Sequence, residues 1–302
     1  MLEAVDTQRL GRSDIEVGRI AYGCWRLAGP DAAAPGAAAQ AHTKIETALD
    51  CGMTLIDTAD IYGRGGPGFG AAEELLGRVL AASPSLRDRM VIATKGGIAA
   101  GVPYDSSAAY LRAACEASLR RLGVDVIDLY QVHRPDLLAH PAEVAGILTE
   151  LRESGKVREL GVSNYSASQR AALQAHLGDV PLATIQPELS LLRHDPIDDG
   201  VLDGAMATGV TPLAWSPLAG GRIAGGELPD TLAAELDALA ERESVTRTAI
   251  ALAWVMAHPS GAIPIIGTQR PDRIREAATA ATVRLSKADW YTLLAAAGRH
   301  LP

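Results

Sequence analysis

Cysteine is scarce in this chain of 302 residues: Cys24, Cys51 and Cys115 are the whole supply, and no two form a C-x-x-C pair. That spacing argues against a disulfide framework and against a cysteine zinc site. Idle thiols in a reducing cytosol are the expected state. Clustered basic residues are missing too. With 28 Lys and Arg against 36 Asp and Glu the formal charge is −8, so no nucleic-acid partner is expected. There is no H-x-H pair, and no metal is expected. Met1 to Arg12 has neither the basic flank nor the apolar core of a signal peptide. The apolar stretch from Ala249 to Ile266 is interrupted by His258-Pro259 and Gly261. It suits a core helix followed by a strand, not a membrane span. A cytoplasmic protein without a membrane partner is expected, as a monomer or weak oligomer.

What is present is an ordinary globular composition, 48% hydrophobic and 21% charged. Thr7 to Gly18 alternates weakly around Gly11-Arg12 and reads as a hairpin closing one end of the fold. Ile20 to Gly23 reads as a first core strand, and the Ala-, Gly- and Pro-rich segment Ala28 to Ala39 as a surface loop. From there one unit repeats, a short apolar strand and then an amphipathic helix. The strands are Thr54–Asp57, Met90–Lys95, Val126–His133, Arg158–Asn164, Ala183–Gln186, Val210–Trp215 and Ala262–Gly267. The helices include Thr43–Asp50, Ala71–Ala81, Ser107–Leu122 and Pro141–Ser154, and one is expected after each strand. Such alternation places the chain in the α/β class as a closed (β/α)8 TIM barrel, with an N-terminal β-hairpin and an extra C-terminal helix over Ser286–Ala297. No linker or composition shift divides residues 1–302, so a single domain is expected.

In such a barrel the C-terminal strand ends converge on one face. Here they carry Asp57, Lys95, His133, Ser163-Asn164, Gln186, Trp215-Ser216 and Gly267-Thr268. One or two could be helix caps; a full ring indicates a functional face. Asp57, Lys95 and His133, with Tyr62 in the loop beyond Asp57, form a particular chemical set. A free phenol has a pKa of about 10. A lysine cation beside it favours the phenolate and is expected to lower that value. A carboxylate keeps the lysine charged, and a histidine can hold a carbonyl oxygen, which together make a tuned proton donor. Taken alone, Asp57 could cap a turn and Tyr62 could fill surface space. His42, His140, His176, His194, His258 and His300 read as satisfied structural histidines.

Rival barrel chemistries fit less well. A glycosidase needs two carboxylates across its substrate, whereas the relevant strands end in His133 and Trp215. Gly63-Arg-Gly65-Gly66-Pro67-Gly68 matches G-x-G-x-x-G, but the next strand ends in Lys95 where a dinucleotide fingerprint wants an acid. It reads as a flexible loop.

These residues resemble the aldo-keto reductase family. Gly52-Met-Thr-Leu-Ile-Asp57-Thr-Ala-Asp-Ile-Tyr62-Gly63 with Glu74-Leu-Leu-Gly77 is similar to its first signature. Arg87 to Lys95, Ser118-Leu-Arg-Arg-Leu, Asp128 to His133 and Gly155 to Asn164 follow in the family's order. Ala214 to Arg222 and His133-Arg-Pro-Asp136 resemble its bacterial general-oxidoreductase branch. The resemblance implies an extended nicotinamide dinucleotide, NADPH/NADP+, and a small-molecule carbonyl substrate. Tyr62 would be the proton donor, Lys95 and Asp57 its tuning pair, and His133 the carbonyl-orienting residue. Ser163, Asn164 and Gln186 would hold the carboxamide. Trp215 would stack on the nicotinamide, where the family often has tyrosine. Ser216, Pro217, Leu218 and Gly220 would meet the pyrophosphate. Gly267, Thr268, Gln269, Arg273 and Glu276 would clasp the adenosine end, with Arg270 also near the 2′-phosphate. Ala277 stands where many relatives have Asn. Gly23 and Trp25 would complete the cofactor site, and Trp25, Tyr62, His133 and Arg134 would meet substrate. The same family includes slowly turning, channel-associated redox-sensing subunits, so that reading stays open beside the enzyme.

Overall fold

A computed structural model describes residues 6–301; residues 1–5 and 302, the ends of the expected domain span, lie outside the described residues. Strands β1 (Thr7–Arg9) and β2 (Glu16–Gly18) pair antiparallel, with Thr7 opposite Gly18. Leu10, Ile15 and Val17 from this hairpin pack with Leu55, Ala93, Leu129, Ala183, Leu213 and Ile263. The hairpin thus plugs the bottom of the barrel with side chains that would otherwise face water.

The barrel is closed by eight parallel strands in sequence order, the last pairing with the first. They are β3 (Ala21–Gly23), β4 (Leu55–Asp57), β5 (Val91–Gly96), β6 (Ile127–Val132), β7 (Val157–Ser163), β8 (Leu182–Gln186), β9 (Thr211–Ala214) and β10 (Ile263–Ile266). Side chains alternate between the two sides of a strand. Leu55 and Ala93 fill the barrel interior, while Ile56 and Ile92 join the core under the helices. Two residues beyond Leu55 and Ala93, the same period turns Asp57 and Lys95 inward at the top. Strand period therefore positions half of the expected catalytic set.

Around the barrel run α1 (Ala37–Asp50), α2 (Ala71–Ala82), α3 (Ala108–Leu122), α4 (Pro141–Glu153), α5 (Ala167–Leu177), α6 (Val201–Thr208), α7 (Asp230–Glu243), α8 (Arg247–Met256), α9 (Pro271–Ala278) and α10 (Lys287–Ala296). Ser107 caps α3, and Ser166 with Gln169 forms a capping box on α5. Two departures from the sequence reading stand out. Helix α1 begins at Ala37, not Thr43, because the Ala37-Ala38-Ala39 run favours helix and Gly36 turns into it at φ 87°. Two helices, not one, follow β9. Leu232, Leu236 and Leu239 of α7 pack with Trp254 of α8 and with Leu293 and Leu294 of α10 as a second core. Among the described residues no helix is long and apolar enough to cross a membrane.

Gly77 gives the helical layer a test. A Cβ there would lie 2.0 Å from the Arg121 carbonyl oxygen at the end of α3. Gly→Ala inside a helix ordinarily stabilises by about 1 kcal/mol. Gly77→Ala should instead destabilise by about 1–3 kcal/mol, the usual cost of overpacking, read as a lower thermal midpoint. A raised midpoint would show that α2 and α3 are not packed this closely.

Candidate active site

Lys95 has no solvent exposure and carries its ammonium inside the barrel mouth. Its Nζ donates to Asp57 Oδ2 at 2.7 Å, to the Thr58 carbonyl at 2.8 Å and to the Tyr62 hydroxyl at 3.2 Å. Three acceptors use all three ammonium protons. Asp57 is fixed from its other oxygen, which accepts from Gln186 Nε2 at 2.9 Å. The Tyr62 loop is stitched to β5 by Thr58 N–H to the Ala93 carbonyl at 2.8 Å and Asp60 N–H to the Lys95 carbonyl at 3.0 Å. His133 meets Tyr62 edge-on, with ring centroids 5.9 Å apart and planes at 78°.

The electrostatics correct one expectation. Burial pushes the Tyr62 phenol above the ordinary tyrosine value, and Lys95 pulls it back only in part. Lysine does not lower it on balance, so Tyr62 keeps its proton at neutral pH. Burial opposes the charge on Lys95, yet Asp57 and Tyr62 together outweigh it and hold the ammonium above the usual lysine value. His133 is driven well below the usual histidine value by burial, and then by the Lys95 and Arg134 cations. Its imidazole is neutral.

A cleft of about 930 Å³ opens over this cluster. Asp57, Tyr62, His133 and Arg134 line it, with Gly23, Trp25, Ser163, Asn164, Gln186, Trp215, Ser216, Pro217, Leu218 and Gly220. So do Gly267, Thr268, Gln269, Arg273 and Glu276, and Ala277 as well. The structure therefore brings the expected site residues together, with Lys95 sealed behind the wall. Arg26, Arg64, Ile61, Ile98, Gly221, Ala224 and Thr248 also line the cleft and were not assigned from the sequence. Thr248 lies in the first turn of α8, away from any strand end, so strand-end pattern carries no sign of it.

The cleft suits a dinucleotide. Ser216, Ala219, Gly220 and Gly221 all adopt positive φ, at 54°, 49°, 70° and 105°. These turns lay the backbone close along the cleft wall, with Ala219 N–H donating to the Ser216 carbonyl at 2.8 Å and Gly220 N–H to Ser216 Oγ at 2.9 Å. Gln269 Oε1 is buried in the wall without a hydrogen-bond partner among the described residues. At the α9 end the two arginines differ. Arg270 is tied to Asp272 through Nε at 3.1 Å, and it precedes the helix, so it does not share a helical face with Arg273. Arg273 has no ion pair among the described residues.

A closed parallel barrel with a lysine–aspartate–tyrosine cluster beneath a dinucleotide-sized cleft defines a barrel oxidoreductase. The family model described as "Aldo/keto reductase family" matches residues 19–297, and the chain belongs to that family, whose members use nicotinamide cofactors. It is 54% identical to a protein named 6-dehydroglucose reductase from Novosphingobium aromaticivorans, over 98% of this chain and 97% of that protein. It is 37% identical to Oxidoreductase YdhF of Escherichia coli, over 93% and 94% of the two chains. Among solved structures, a glycerol dehydrogenase from Gluconobacter oxydans superposes with a TM-score of 0.85 at 30% identity, covering 98% of this chain and 96% of that one.

Behind Lys95 lies a second carboxylate pair that the sequence reading left unassigned. Glu73 is fully buried, accepts from Thr94 Oγ1 at 2.5 Å and pairs with Arg121 Nε at 2.7 Å. Asp60 Oδ1 is buried with no partner among the described residues. Burial and then the Glu73 charge push the Asp60 carboxyl from 3.8 up to about 7, against the opposing pull of Arg121 and Lys95. The native state therefore binds this proton more tightly than the unfolded chain. The resulting stability is fully present below 3.8 and is lost as pH rises to about 7. Asp60→Asn removes this titration. Its thermal midpoint should gain on that of the wild type between ~pH 5 and ~pH 8. A gap that does not change with pH would refute the assignment.

Proposed function

We propose that this protein is an NADPH-dependent reductase of an aldehyde carried on a small polyhydroxylated molecule, with Tyr62 as the proton donor. The observation that carries the proposal is the buried Lys95 ammonium, shared between Asp57 and Tyr62 directly beneath the cleft. Ser163, Asn164 and Gln186 hold the nicotinamide carboxamide, and Trp215 supports the ring. Gln186 commits one amide N–H to Asp57 and keeps its Oε1 as an acceptor. The positive-φ backbone from Ser216 to Gly220 receives the pyrophosphate. Thr268 and Arg273 take the 2′-phosphate, Gln269 and Glu276 the adenosine.

When bound there, the reduced nicotinamide supplies a hydride. Neutral His133 holds the carbonyl oxygen without releasing a proton to it, and the Tyr62 hydroxyl gives up its proton to the same oxygen. Lys95 stabilises the phenolate left behind, and Asp57 keeps Lys95 charged. Trp25 and Trp215 shield the reacting centre from water.

Substrate class follows from the wall. Arg26, Arg64 and Arg134 line the cleft, and none forms an ion pair among the described residues. Guanidinium groups only donate, so they suit a ligand rich in acceptor oxygens. A relative named for 6-dehydroglucose, an aldehyde on a sugar, supports the same class. With NADPH the protein should turn over 6-dehydroglucose repeatedly, at a rate near the ~1–10³ s⁻¹ common to enzymes. Nucleotide retained through dialysis with no second turnover on any aldehyde or ketone would instead favour the redox-sensing reading.

Cofactor choice has its own test. Hydrogen bonds to charged groups contribute about 1.5–3 kcal/mol, so Arg273→Ala should weaken NADPH binding by at least roughly tenfold while leaving NADH nearly unchanged. Equal losses for both nucleotides, in an equilibrium titration, would overturn the assignment of Arg273 to the phosphate.

A further inference from the structure

Trp215 occupies a better-connected place than a stacking shelf needs. It follows β9 and is fastened there by its N–H to the Pro187 carbonyl at 3.0 Å and by Leu189 N–H to its own carbonyl at 3.3 Å. Its indole Nε1 donates to Asn164 Oδ1 at 3.0 Å. Asn164 in turn donates from Nδ2 to Ser163 Oγ at 2.8 Å and to the His133 carbonyl at 3.2 Å. Its backbone sits at φ 60°, a left-handed conformation that few residues other than glycine tolerate and that asparagine tolerates best. The Arg134 guanidinium lies 5.9 Å from the centre of the same indole.

His133 needs such help. Its Nδ1 is buried without a partner, so among the described residues no hydrogen bond from that nitrogen sets the imidazole. Beyond its edge-on packing against Tyr62, its direction depends on the peptide units on either side. The His133 N–H is fixed by the Gly96 carbonyl at 2.8 Å. Its carbonyl is fixed by Asn164, and the next residue, Arg134, rests over Trp215. Both of the latter restraints lead back to one indole.

We infer that Trp215 is a positioning residue for His133, acting through its hydrogen bond to Asn164 and its contact with Arg134. The inference rests on the proposed role of His133 in orienting the carbonyl. It ties the residue that supports the nicotinamide to the residue that orients the substrate. A tyrosine or phenylalanine at this position offers the flat ring without the indole N–H.

Trp215→Phe separates the two roles, because it keeps an aromatic face and removes the donor. In the nucleotide-free protein, the Asn164 side-chain amide and the His133 imidazole resonances should both move in a ¹⁵N-resolved NMR spectrum. At saturating NADPH, KM for the aldehyde should rise by about five- to tenfold, as expected for one lost hydrogen bond. Added to Asn164→Ala, Trp215→Phe should raise KM by less than it does alone, since the shared path is already cut. A loss confined to NADPH affinity, with His133 resonances and KM unmoved, would reduce Trp215 to a shelf and overturn the inference. Fully additive effects in the cycle would overturn it as well. Should Trp215→Phe fail to fold, the wild type decides: the Trp215 indole proton is predicted to be protected from solvent exchange, and free exchange contradicts the bond to Asn164. The NMR readouts need no turnover, so they distinguish failure of this inference from failure of the proposed activity.

Discussion

A lysine ammonium with no access to water is the constraint on which this site depends. An isolated charge in such surroundings is prohibitively costly unless it is paired and fully hydrogen-bonded. Lys95 meets that demand with a carboxylate, a backbone carbonyl and a phenol. Each partner is then fixed in its turn. Asp57 is held by Gln186 from the far side of the barrel, and the Thr58 carbonyl belongs to a loop stitched to β5. Satisfying one buried charge thus draws the ends of β4, β5 and β8 into register and sets Tyr62 at the floor of the cleft.

The same low-polarity surroundings decide the protonation states. Burial holds Tyr62 protonated despite its cationic neighbour, keeps His133 neutral and retains a proton on Asp60 up to about 7. Glu73 lies among the same residues and is bound directly by Arg121 and Thr94. Two buried carboxyls on either side of the Gly-rich loop therefore differ in their contacts, one anchoring α2 to α3 and β5, the other holding a proton beside the Tyr62 loop.

Much of this was legible in the chain. Period-two alternation from Leu55 to Asp57 and from Ala93 to Lys95 is enough to place an acid and a base inside a barrel mouth. Polar residues ending successive strands show where the cleft opens. What local pattern does not carry is burial and pairing. The rise of the Tyr62 value follows from enclosure by distant segments, which outweighs the lysine that converging strand ends place beside it. Arg270 and Arg273 look equivalent by spacing, yet Asp272 captures one of them. The Leu232, Leu236 and Leu239 spacing of α7 is helical, yet strict one-helix-per-strand alternation leaves no place for it. Thr248 enters the cleft from a helix start, a contact created only by tertiary packing.

The central claim is that the Lys95 charge makes Tyr62 an effective proton donor. Single-turnover reduction by protein preloaded with NADPH tests it most directly, comparing the wild type with Lys95→Met. The account predicts that the variant still binds nucleotide and that its hydride-transfer step slows by at least about 10²-fold, the lower end for losing general-acid assistance. Nucleotide binding retained together with a transfer rate close to that of the wild type would contradict it.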